Sequence, residues 1–347
     1  MLASRRIVSL SLLIVAALLV SGCSLPLTSL LTPLPPPTTT PTVTPTPFQP
    51  LPPTAVYLPT PTFTPTPTIT PSPTPVPTAT PQPGTFGAGP ASPIPHADER
   101  INIMLLGSDR RPGHADFRTD AFMLLSYNPQ TGATSLISIP RDTYVYLPAL
   151  KRWHRINTAM EFGGFPLLAD TLAYNFGVRP QHFVMVDFQG FATLVDRLGG
   201  VDIYVPRQLC DRRTHYGDHY CIGPGTVHMD GSLALWYARS RKTTSDFDRA
   251  SRQQALVLAM TRKLLSLNGL ARAPQLYTAY RNIVTTDISL SDLTAMLLQA
   301  RHFDPNAIRT YLLKPPALRP WITPQGSYVL IQNYPQVRAL LEEALQR

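Results

Sequence analysis

The sequence predicts an α/β fold for the part of the chain that begins near Arg100. Short segments rich in branched and aromatic side chains, which are typical of strands, alternate there with longer segments of helical apolar periodicity. Glycine pairs and clusters of turn-forming residues separate these segments. This alternation indicates one domain of about 250 residues, which is long enough to bury a large core.

Most of the predicted strands lie in the first half of this region. We expect strands at 101–106, 121–127, 133–139, 183–187, 201–205 and 308–313. The sequence Asn-Pro-Gln-Thr-Gly at 128–132 is a turn, so the second and third strands should form a hairpin.

Helical segments lie between and after these strands. Gly163 and Gly164 should separate the first two helices, because paired glycines interrupt helical periodicity. Ser245, followed three residues later by Asp248, fits a capping box, so a long helix should begin there. The predicted helices span 156–162, 165–176, 188–198, 247–267, 272–281, 290–301 and 334–346.

The segment 24–97 differs sharply from the predicted domain. It contains 24 of the 39 prolines, in Thr/Pro repeats, and the chain has no Asp, Glu, Lys or Arg between Ile7 and Ala97. Such a composition cannot bury enough apolar surface to fold, and it favours extended polyproline II. We therefore expect a disordered stalk at 24–97, with the folded domain at 98–347.

Residues 1–23 have the composition of an export signal. Arg5 and Arg6 precede an apolar run from Ile7 to Val20, and Ser-Gly-Cys follows. The sequence Val-Ser-Gly-Cys resembles a bacterial lipobox, which would make Cys23 the lipidated N-terminus. Alternatively, the apolar run continues to Leu27 and serves as an uncleaved signal anchor. Both alternatives place the domain at the outer face of the cytoplasmic membrane and exclude nucleic acid as a partner.

Two cysteines remain for the exported domain. In an oxidising compartment, Cys210 and Cys221 should form a disulfide that closes a charged loop. His215 and His219 lie between them, so a zinc site is an alternative, although the spacing matches no standard zinc finger.

The charge of the predicted domain favours an anionic partner. The formal net charge is +9, of which the two N-terminal arginines contribute +2, so +7 remains from Asp98 onward. One stretch concentrates arginines at a predicted helix start, where free N–H groups and the helix dipole already attract anions. Its candidate residues are Arg239, Arg241, Asp246, Arg249 and Gln253. Guanidinium forks suit phosphate oxygens, whereas the alternative is a solvated, salt-bridged helix start.

A second polar group flanks the predicted strand ends. It consists of Asp109, Arg118, Asp120, Arg141 and Asp142. Open α/β sheets bind ligands at the carboxyl ends of their strands. Two aspartates with interleaved arginines suit a metal–pyrophosphate site, since carboxylates hold a hard cation and guanidiniums neutralise phosphate charge. The alternative is that both aspartates form simple ion pairs with neighbouring arginines.

Seven motifs follow one another along the domain: Gly-Ser-Asp-Arg (107–110), Arg-Thr-Asp-Ala-Phe-Met-Leu-Leu-Ser (118–126), Ser-Ile-Pro-Arg-Asp-Thr-Tyr-Val (138–145), Arg-Ile-Asn-Thr-Ala (155–159), Gly-Gly-Val-Asp-Ile (199–203), Tyr-Ala-Arg-Ser-Arg (237–241) and Asp-Phe-Asp-Arg-Ala-Ser-Arg-Gln-Gln (246–254). In this order they resemble the LytR–CpsA–Psr (LCP) family. The resemblance implies a three-layer αβα sandwich around a mixed, largely antiparallel central sheet, with a deep apolar pocket for a polyprenyl chain.

The resemblance also implies a reaction, the transfer of an anionic glycopolymer from undecaprenyl pyrophosphate to a muramic-acid hydroxyl of peptidoglycan through a phosphodiester. It implies Mg²⁺ on Asp109 and Asp120. It further implies pyrophosphate contacts from Arg118, Arg141, Arg239, Arg241 and Arg249, with Asp246 and Gln253 lining the same site. We expect Asp246, Arg249 and Arg118 to take part in catalysis. Asp246 is the candidate base for the incoming hydroxyl, and a metal-side aspartate is its rival.

The chain departs from the family in three places. The family usually has a transmembrane helix, whereas this chain has the lipobox-like Cys23 and a long stalk. The link Lys-Arg-Trp-His-Arg at 151–155 is bulkier and more basic than usual, and it either faces the polymer or is merely surface. The segment 270–347 either completes the fold, as we expect, or forms an appended module. Two other functions stay open: a polyprenyl-pyrophosphate hydrolase, and a non-catalytic binder of cell-wall polyanions.

Overall fold

The computed structural model describes residues 90–110, 118–266 and 281–346, except His215 and Thr243. The predicted export signal, which includes Cys23, lies outside these residues. So do residues 24–89 of the predicted stalk and all but the last residue of the helix predicted at 272–281. Ile94 and Ala97 are buried in the main core, so the packed region includes residues that precede Asp98.

The described strands are β1 Ile101–Ser108, β2 Thr119–Tyr127, β3 Thr134–Ser138, β4 Tyr144–Leu147, β5 Arg152–Arg155, β6 His182–Asp187, β7 Val201–Val205, β8 Leu209–Arg213, β9 Gly217–Ile222, β10 Gly225–Met229, β11 Val284–Thr286, β12 Arg309–Leu312, β13 Leu318–Ile322 and β14 Tyr328–Gln332. The described α-helices are α1 Ala159–Phe176, α2 Phe188–Arg197, α3 Gly231–Arg239, α4 Asp246–Ser266, α5 Leu290–Gln299 and α6 Tyr334–Leu345. Short 3₁₀ turns lie at Ala97–Glu99, Pro148–Leu150, Ile156–Thr158 and Ala300–His302.

The central sheet has the strand order β11-β6-β1-β2-β3-β12. Its pairings are antiparallel at β11–β6, β1–β2 and β2–β3, and parallel at β6–β1 and β3–β12. The hairpin formed by the second and third strands is present as predicted. The mixed, largely antiparallel sheet expected from the resemblance is therefore confirmed.

One face of the sheet packs against α1 and α6. Side chains alternate along β1, so Met104 and Leu106 lie in the main core, while Ile103 and Leu105 on the opposite face are only half-buried. Leu168 of α1 and Leu341 of α6 belong to the same core. The strands β12–β14 and α6 are integral to this packing, and the residues after 308 therefore complete the fold.

The opposite face carries α2, α3 and α4. These helices share a second core with the β7–β10 ribbon, in which Ile203, Tyr237 and Leu256 are buried. Gln254 of α4 ties this layer to the sheet, because its side-chain amide donates to the carbonyl oxygens of Leu136 (3.3 Å) and Tyr311 (2.7 Å). The three αβα layers are thus confirmed.

Two local predictions concern helix ends. The backbone N–H of Asp248 donates to Ser245 Oγ at 3.1 Å, and the N–H of Ser245 donates to Asp248 Oδ2 at 3.0 Å, so the capping box is present. Gly163 and Gly164 have non-helical backbone angles, as the break between two predicted helices requires. They kink the single helix α1, and a 3₁₀ turn occupies the first residues of the predicted 156–162 helix.

Close contact between α2 and α3 depends on Gly231. A Cβ at this position would overlap the carbonyl oxygen of Ala192, and the Gly231 N–H donates to Asp196 Oδ1 at 2.7 Å. We expect Gly231→Ala to lower the free energy of unfolding by about 1–3 kcal/mol, because the helices must move apart. Urea denaturation measures this, with Gln189→Ala on the exposed side of α2 as the control. Equal effects of both changes would contradict the prediction.

Candidate functional site

Four strand ends meet at one edge of the central sheet. Ser108, the last residue of β1, pairs with Thr119 of antiparallel β2 and with Asp187 of parallel β6. The N–H of Ile139, just after β3, donates to the carbonyl oxygen of Phe122 in β2 at 2.9 Å. The polar residues that adjoin these ends are therefore neighbours, as the sequence analysis expected.

Asp109 is held by backbone groups rather than by a guanidinium. The N–H of Arg118 donates to Asp109 Oδ1 at 2.5 Å, and the N–H of Asp109 donates to the Arg118 carbonyl oxygen at 3.0 Å. The Arg118 side chain itself is exposed. Between these two side chains the described contact runs through the backbone of Arg118, whose guanidinium is exposed at the edge.

Arg141 joins the carboxylates that flank β2 and β3. Its Nη1 lies 2.5 Å from Asp120 Oδ1 and its Nε lies 3.6 Å from Asp142 Oδ2, while Arg155 Nε lies 3.5 Å from Asp142 Oδ1. Burial acts to lower the pKa of Arg141, but its hydrogen bond to Asp120 and the charges of Asp120, Asp142 and Asp246 outweigh burial and raise that pKa. Arg141 is thus a fixed positive charge, and Asp246 is close enough to act on it.

The start of α4 supplies two further arginines around Asp246. Its carboxylate lies 3.4 Å from Arg241 Nε and 3.4 Å from Arg249 Nη2. The side chain of Arg249 is 10 % exposed, whereas that of Arg241 is 42 % exposed. Gln253, one turn further along, donates from its side-chain amide to the Ala238 carbonyl oxygen at 3.2 Å. The helix start is therefore partly salt-bridged, as its alternative interpretation expected, and lies beside the strand-end group.

The Arg239 side chain lies at the same edge, beside the carboxyl end of β6. Its guanidinium carbon lies 4.2 Å from the ring centroid of Phe188, the residue that follows the end of β6. The exposed Arg239 side chain stands at the parallel β1–β6 ends. The structure thus places near one edge most of the residues that the sequence analysis selected: Asp109, Arg118, Asp120, Arg141, Asp142, Arg239, Arg241, Asp246 and Arg249. Gln253 lies further along α4, with its amide on the Ala238 carbonyl oxygen. Their individual roles stay predictions.

Several buried polar atoms in the described part of this edge have no hydrogen-bond partner. Among the described residues, eight buried side-chain polar atoms have no hydrogen-bond partner, and four of them lie here: Ser108 Oγ, Thr119 Oγ1, Ser138 Oγ and Arg141 Nε. All four lie at the ends of β1, β2 and β3. Because buried polar groups are almost always satisfied, such a concentration is typical of a place prepared for a polar ligand.

Sequence reasoning missed Asp211, which positions the loop carrying Arg241. Its carboxylate accepts hydrogen bonds from the backbone N–H groups of Arg241 (2.6 Å), Lys242 (3.0 Å) and Arg212 (2.7 Å). The preceding residue, Cys210, forms a disulfide with Cys221 across the β8–β9 pair. Because both sulfur atoms are in this bond, the alternative of a zinc site on these cysteines is wrong.

Arg252 performs a similar task from inside the protein. Its buried guanidinium donates to the carbonyl oxygens of Tyr237 (3.0 Å) and Ser240, and to Thr244 Oγ1 (3.1 Å). Burial lowers the pKa of this side chain. Arg252 therefore fixes the turn between α3 and α4 instead of facing the edge with the other arginines.

Replacing Asp211 by alanine should weaken pyrophosphate binding about tenfold, because the Arg241 loop loses charge-assisted hydrogen bonds. Burial acts to raise the pKa of Asp211, but the three backbone donors outweigh it and lower that pKa below its usual value. The contribution of this carboxylate to stability is therefore complete above its ordinary pKa, and it is lost only as pH falls through the lowered value. Calorimetry with inorganic pyrophosphate between pH 5 and 8 should give a pH-independent difference from the unaltered chain. Asp202→Ala, on the exposed side of β7, is the control, and an equal loss there would contradict the assignment.

The donor set at the edge fits Mg²⁺. In the described part of the chain, no group of three or more His, Cys, Asp or Glu residues is placed to hold a metal. Asp109 and Asp120 nevertheless provide two carboxylates at adjacent strand ends. Mg²⁺ is commonly bound by one or two carboxylates together with substrate phosphates and water. These two residues therefore fit a cation whose remaining ligands come from a bound phosphate group.

A half-open cavity of about 410 Å³ lies at the other end of the sheet, where Phe165, Pro166 and Gln181 contribute to its lining. Gln181 precedes the amino end of β6, whereas the polar edge is at its carboxyl end. This cavity is therefore separate from the site. None of the helices that the structure describes has the length and apolar character needed to cross a bilayer.

The αβα sandwich brings aspartates and arginines together at one edge of its sheet, a set of side chains that suits a polyanionic group. A sequence model of the LytR_cpsA_psr family matches residues 77–345, which is most of the chain. The chain belongs to the LytR–CpsA–Psr family, and the expectation drawn from the seven motifs is confirmed.

Two curated relatives are named polyisoprenyl-teichoic acid–peptidoglycan teichoic acid transferase TagU. The Enterococcus faecalis protein is 30% identical over 207 residues, covering 58% of this chain and 66% of the relative. The Bacillus mycoides protein is 32% identical over 200 residues, covering 57% and 64%. The chain thus spans just under two thirds of these relatives. The crystal structure of B. subtilis TagV superposes with a TM-score of 0.59 at 25% identity, covering 72% of this chain and 98% of that one.

Proposed function

We propose that this protein transfers an anionic glycopolymer from a polyprenyl pyrophosphate carrier to a hydroxyl of peptidoglycan. The proposal rests on two groups of ion pairs at one sheet edge. Asp120 pairs with Arg141, and Asp246 pairs with both Arg241 and Arg249. These residues are far apart in sequence, and a diphosphate is the ligand whose charge and size suit them. The names of the curated relatives support the same reaction.

The reaction is a displacement at phosphorus. The acceptor oxygen forms a bond to the phosphorus that carries the polymer, and the bond from that phosphorus to the bridging oxygen breaks. Polyprenyl monophosphate leaves with the bonding electrons, and the acceptor proton passes to a base. Asp246 is our candidate for that base, since its carboxylate lies among the arginines that would hold the diphosphate.

The arginines divide into two kinds by burial. Arg141 and Arg249 are held in fixed positions by carboxylates, so they can stabilise charge that develops on the equatorial oxygens without reorganising. Arg118, Arg239 and Arg241 are exposed and would attract and orient the incoming diphosphate. Mg²⁺ on Asp109 and Asp120 would neutralise part of the pyrophosphate charge.

The prenyl chain would lie between the sheet and the α2–α4 layer. Ile103 and Leu105 on this sheet face are half-buried, and so are Phe191 and Leu194 of α2 and Val257 of α4. Apolar side chains on facing elements that are incompletely buried provide a surface that an alkyl chain would cover.

The site would operate outside the cytoplasmic membrane. The export signal at 1–23, with lipidated Cys23 or an uncleaved anchor as alternatives, would tether the chain to that membrane. The stalk at 24–97 would let the domain at 98–347 reach the wall. The Cys210–Cys221 disulfide supports an oxidising compartment.

One assay tests the proposal against its alternatives. The full chain is incubated with a lipid pyrophosphate-linked saccharide, Mg²⁺ and peptidoglycan fragments. Release of polyprenyl monophosphate together with a modified acceptor is the expected result. Release without acceptor modification would identify a hydrolase, and binding without release would identify a non-catalytic polyanion binder.

A further inference from the structure

A continuous row of aromatic rings lies on the β4–β5 hairpin and its neighbours. We name this row the aromatic strip, and it consists of Tyr174, Tyr146, Trp153, Tyr144 and Trp321. Successive ring centroids are 5.0, 5.7, 5.6 and 5.9 Å apart along that order. All five side chains are half-buried. The sequence analysis noted the bulky, basic link at 151–155 but did not predict that it is a strand.

The alternation of β4 explains why the strip faces outward. Val145 and Leu147 are fully buried in the main core, so the side chains of Tyr144 and Tyr146 lie on the opposite face of the strand. The β14 strand runs alongside, with Thr143 bridged to Leu330, and this brings the β13–β14 hairpin with Trp321 next to β4. Packing between the hairpins therefore buries part of each ring and leaves the rest of the ring accessible.

The surroundings of the strip are basic. Lys151 is exposed at the turn before β5, and Arg319 is exposed on β13, two residues from Trp321. Arg152 lies on the opposite face of β5 from Trp153, where its guanidinium carbon is 4.9 Å from the ring centroid of Phe162. Burial together with Arg152 and Arg155 lowers the pKa of His154 on the inner face, so that side chain adds no positive charge at neutral pH. A polymer bound here would meet aromatic faces bordered by guanidinium and ammonium groups.

A chain of ion pairs connects the strip to the proposed active site. Arg155 pairs with Tyr144 across the β4–β5 hairpin, and its Nε lies 3.5 Å from Asp142 Oδ1. Asp142 in turn lies beside Arg141, the partner of Asp120. The Tyr144 part of the strip is thus linked through Arg155, Asp142 and Arg141 to Asp120, the carboxylate proposed to hold the metal.

We propose that the aromatic strip binds the glycan strand of peptidoglycan and directs its acceptor hydroxyl to the active site. The inference rests on the proposed function. The faces of pyranose rings present C–H groups that pack on aromatic rings, and Tyr and Trp add polar atoms for sugar hydroxyls. The basic border suits the carboxylates of the attached peptides.

Geometry favours the acceptor over the donor polymer as the occupant. In a displacement at phosphorus, the attacking and leaving oxygens are roughly in line. The leaving polyprenyl phosphate would lie with its chain between the sheet and the α2–α4 layer. Tyr174 belongs to α1, and β4 packs into the core on the α1 side of the sheet. The strip therefore approaches from the side opposite the leaving group.

Binding and turnover of the full chain test this assignment. Trp153→Ala should weaken binding of peptide-free glycan strands about tenfold and raise the KM for acceptor, because a stacking surface is lost. Binding of inorganic pyrophosphate, measured by calorimetry, should stay unchanged. Trp153→Phe should recover most of the binding, and Tyr204→Ala, which removes a ring that is 68% exposed on β7, should have no effect.

A second variant tests the assignment without removing a packed aromatic ring, so that loss of binding cannot be due to unfolding of the hairpin. Reversal of the exposed charge in Arg319→Glu should weaken binding of strands that retain their peptides, with little effect on peptide-free strands. Unaltered binding of peptide-free strands by Trp153→Ala, together with unaltered binding of peptide-bearing strands by Arg319→Glu, would overturn the proposal. It would also be overturned if the variants lost affinity only for a poly(glycerol phosphate) probe, since the donor polymer would then occupy the strip. Failure of the unaltered chain to release polyprenyl phosphate would instead refute the proposed function, and the glycan-binding measurement would stand apart from it.

Discussion

Replacing Asp120 by alanine should lower the rate of polyprenyl monophosphate release at least a hundredfold. The change removes one of the two carboxylates proposed to hold Mg²⁺, and metal stabilisation of a phosphoryl transition state contributes several kcal/mol. It also removes the hydrogen-bond acceptor of half-buried Arg141, at 2.5 Å. Asp109→Ala should lower the rate similarly, without disturbing Arg141.

Asp120→Asn separates these two effects. The amide oxygen can still accept the hydrogen bond from Arg141, but it is a poorer ligand for a divalent cation. We therefore expect Asp120→Asn to keep the melting temperature of the unaltered chain while requiring more Mg²⁺ for half-maximal rate. Mn²⁺ binding measured by electron paramagnetic resonance gives a readout independent of turnover.

Asp170→Ala is the matched control, since Asp170 pairs with Arg179 on the surface of α1, away from the polar edge. A non-catalytic polyanion binder would behave differently, because loss of a negative charge at Asp109 or Asp120 would leave anion binding intact or make it tighter. Full turnover by Asp120→Ala would contradict the metal assignment.

The sequence predicted the central sheet better than the hairpins around it. Strands β1, β2 and β3 are apolar segments with clear turn signals, and each was placed within two residues at either end. The β4–β5 hairpin escaped prediction because Arg152–Arg155 is charged and only four residues long, which is typical of a link. Its strand character depends on pairing with β4 and on packing against distant β14, which local patterns do not encode.

The candidate site, too, could be predicted only in part. Proximity of Asp109, Asp120 and Arg141 could be predicted, since residues that flank neighbouring strand ends meet at one edge. The burial of the individual arginines could not be predicted, because it depends on how the turn between α3 and α4 packs. Arg249 and Arg252 are three residues apart on one helix, yet one faces Asp246 and the other bonds to backbone carbonyl groups.

The contact between Asp211 and the Arg241 loop could not be predicted from local sequence patterns. The two residues are thirty positions apart, and their contact arises only after the β8–β9 hairpin folds against the turn. The adjacent cysteine was a weak local signal, since a disulfide often fixes a loop with a defined task.

Arg249→Ala should produce the second large loss, a fall in kcat of about 10²–10³-fold. Its guanidinium is 10 % exposed and is held by Asp246, so it is oriented before substrate arrives. Removal of one preorganised donor from a catalytic site costs about that factor. Arg249→Lys keeps the charge but lacks the planar fork, and it should recover only part of the rate.

Arg241→Ala provides the sharpest comparison, because Arg241 contacts the same carboxylate at the same 3.4 Å but is 42 % exposed. Solvent screens an exposed guanidinium, so its removal should mainly raise the KM for the lipid-linked donor and change kcat far less. Arg262→Ala, on the exposed side of α4, should change neither parameter. Equal effects on kcat in Arg241→Ala and Arg249→Ala would mean that burial does not determine how much each arginine contributes to the rate.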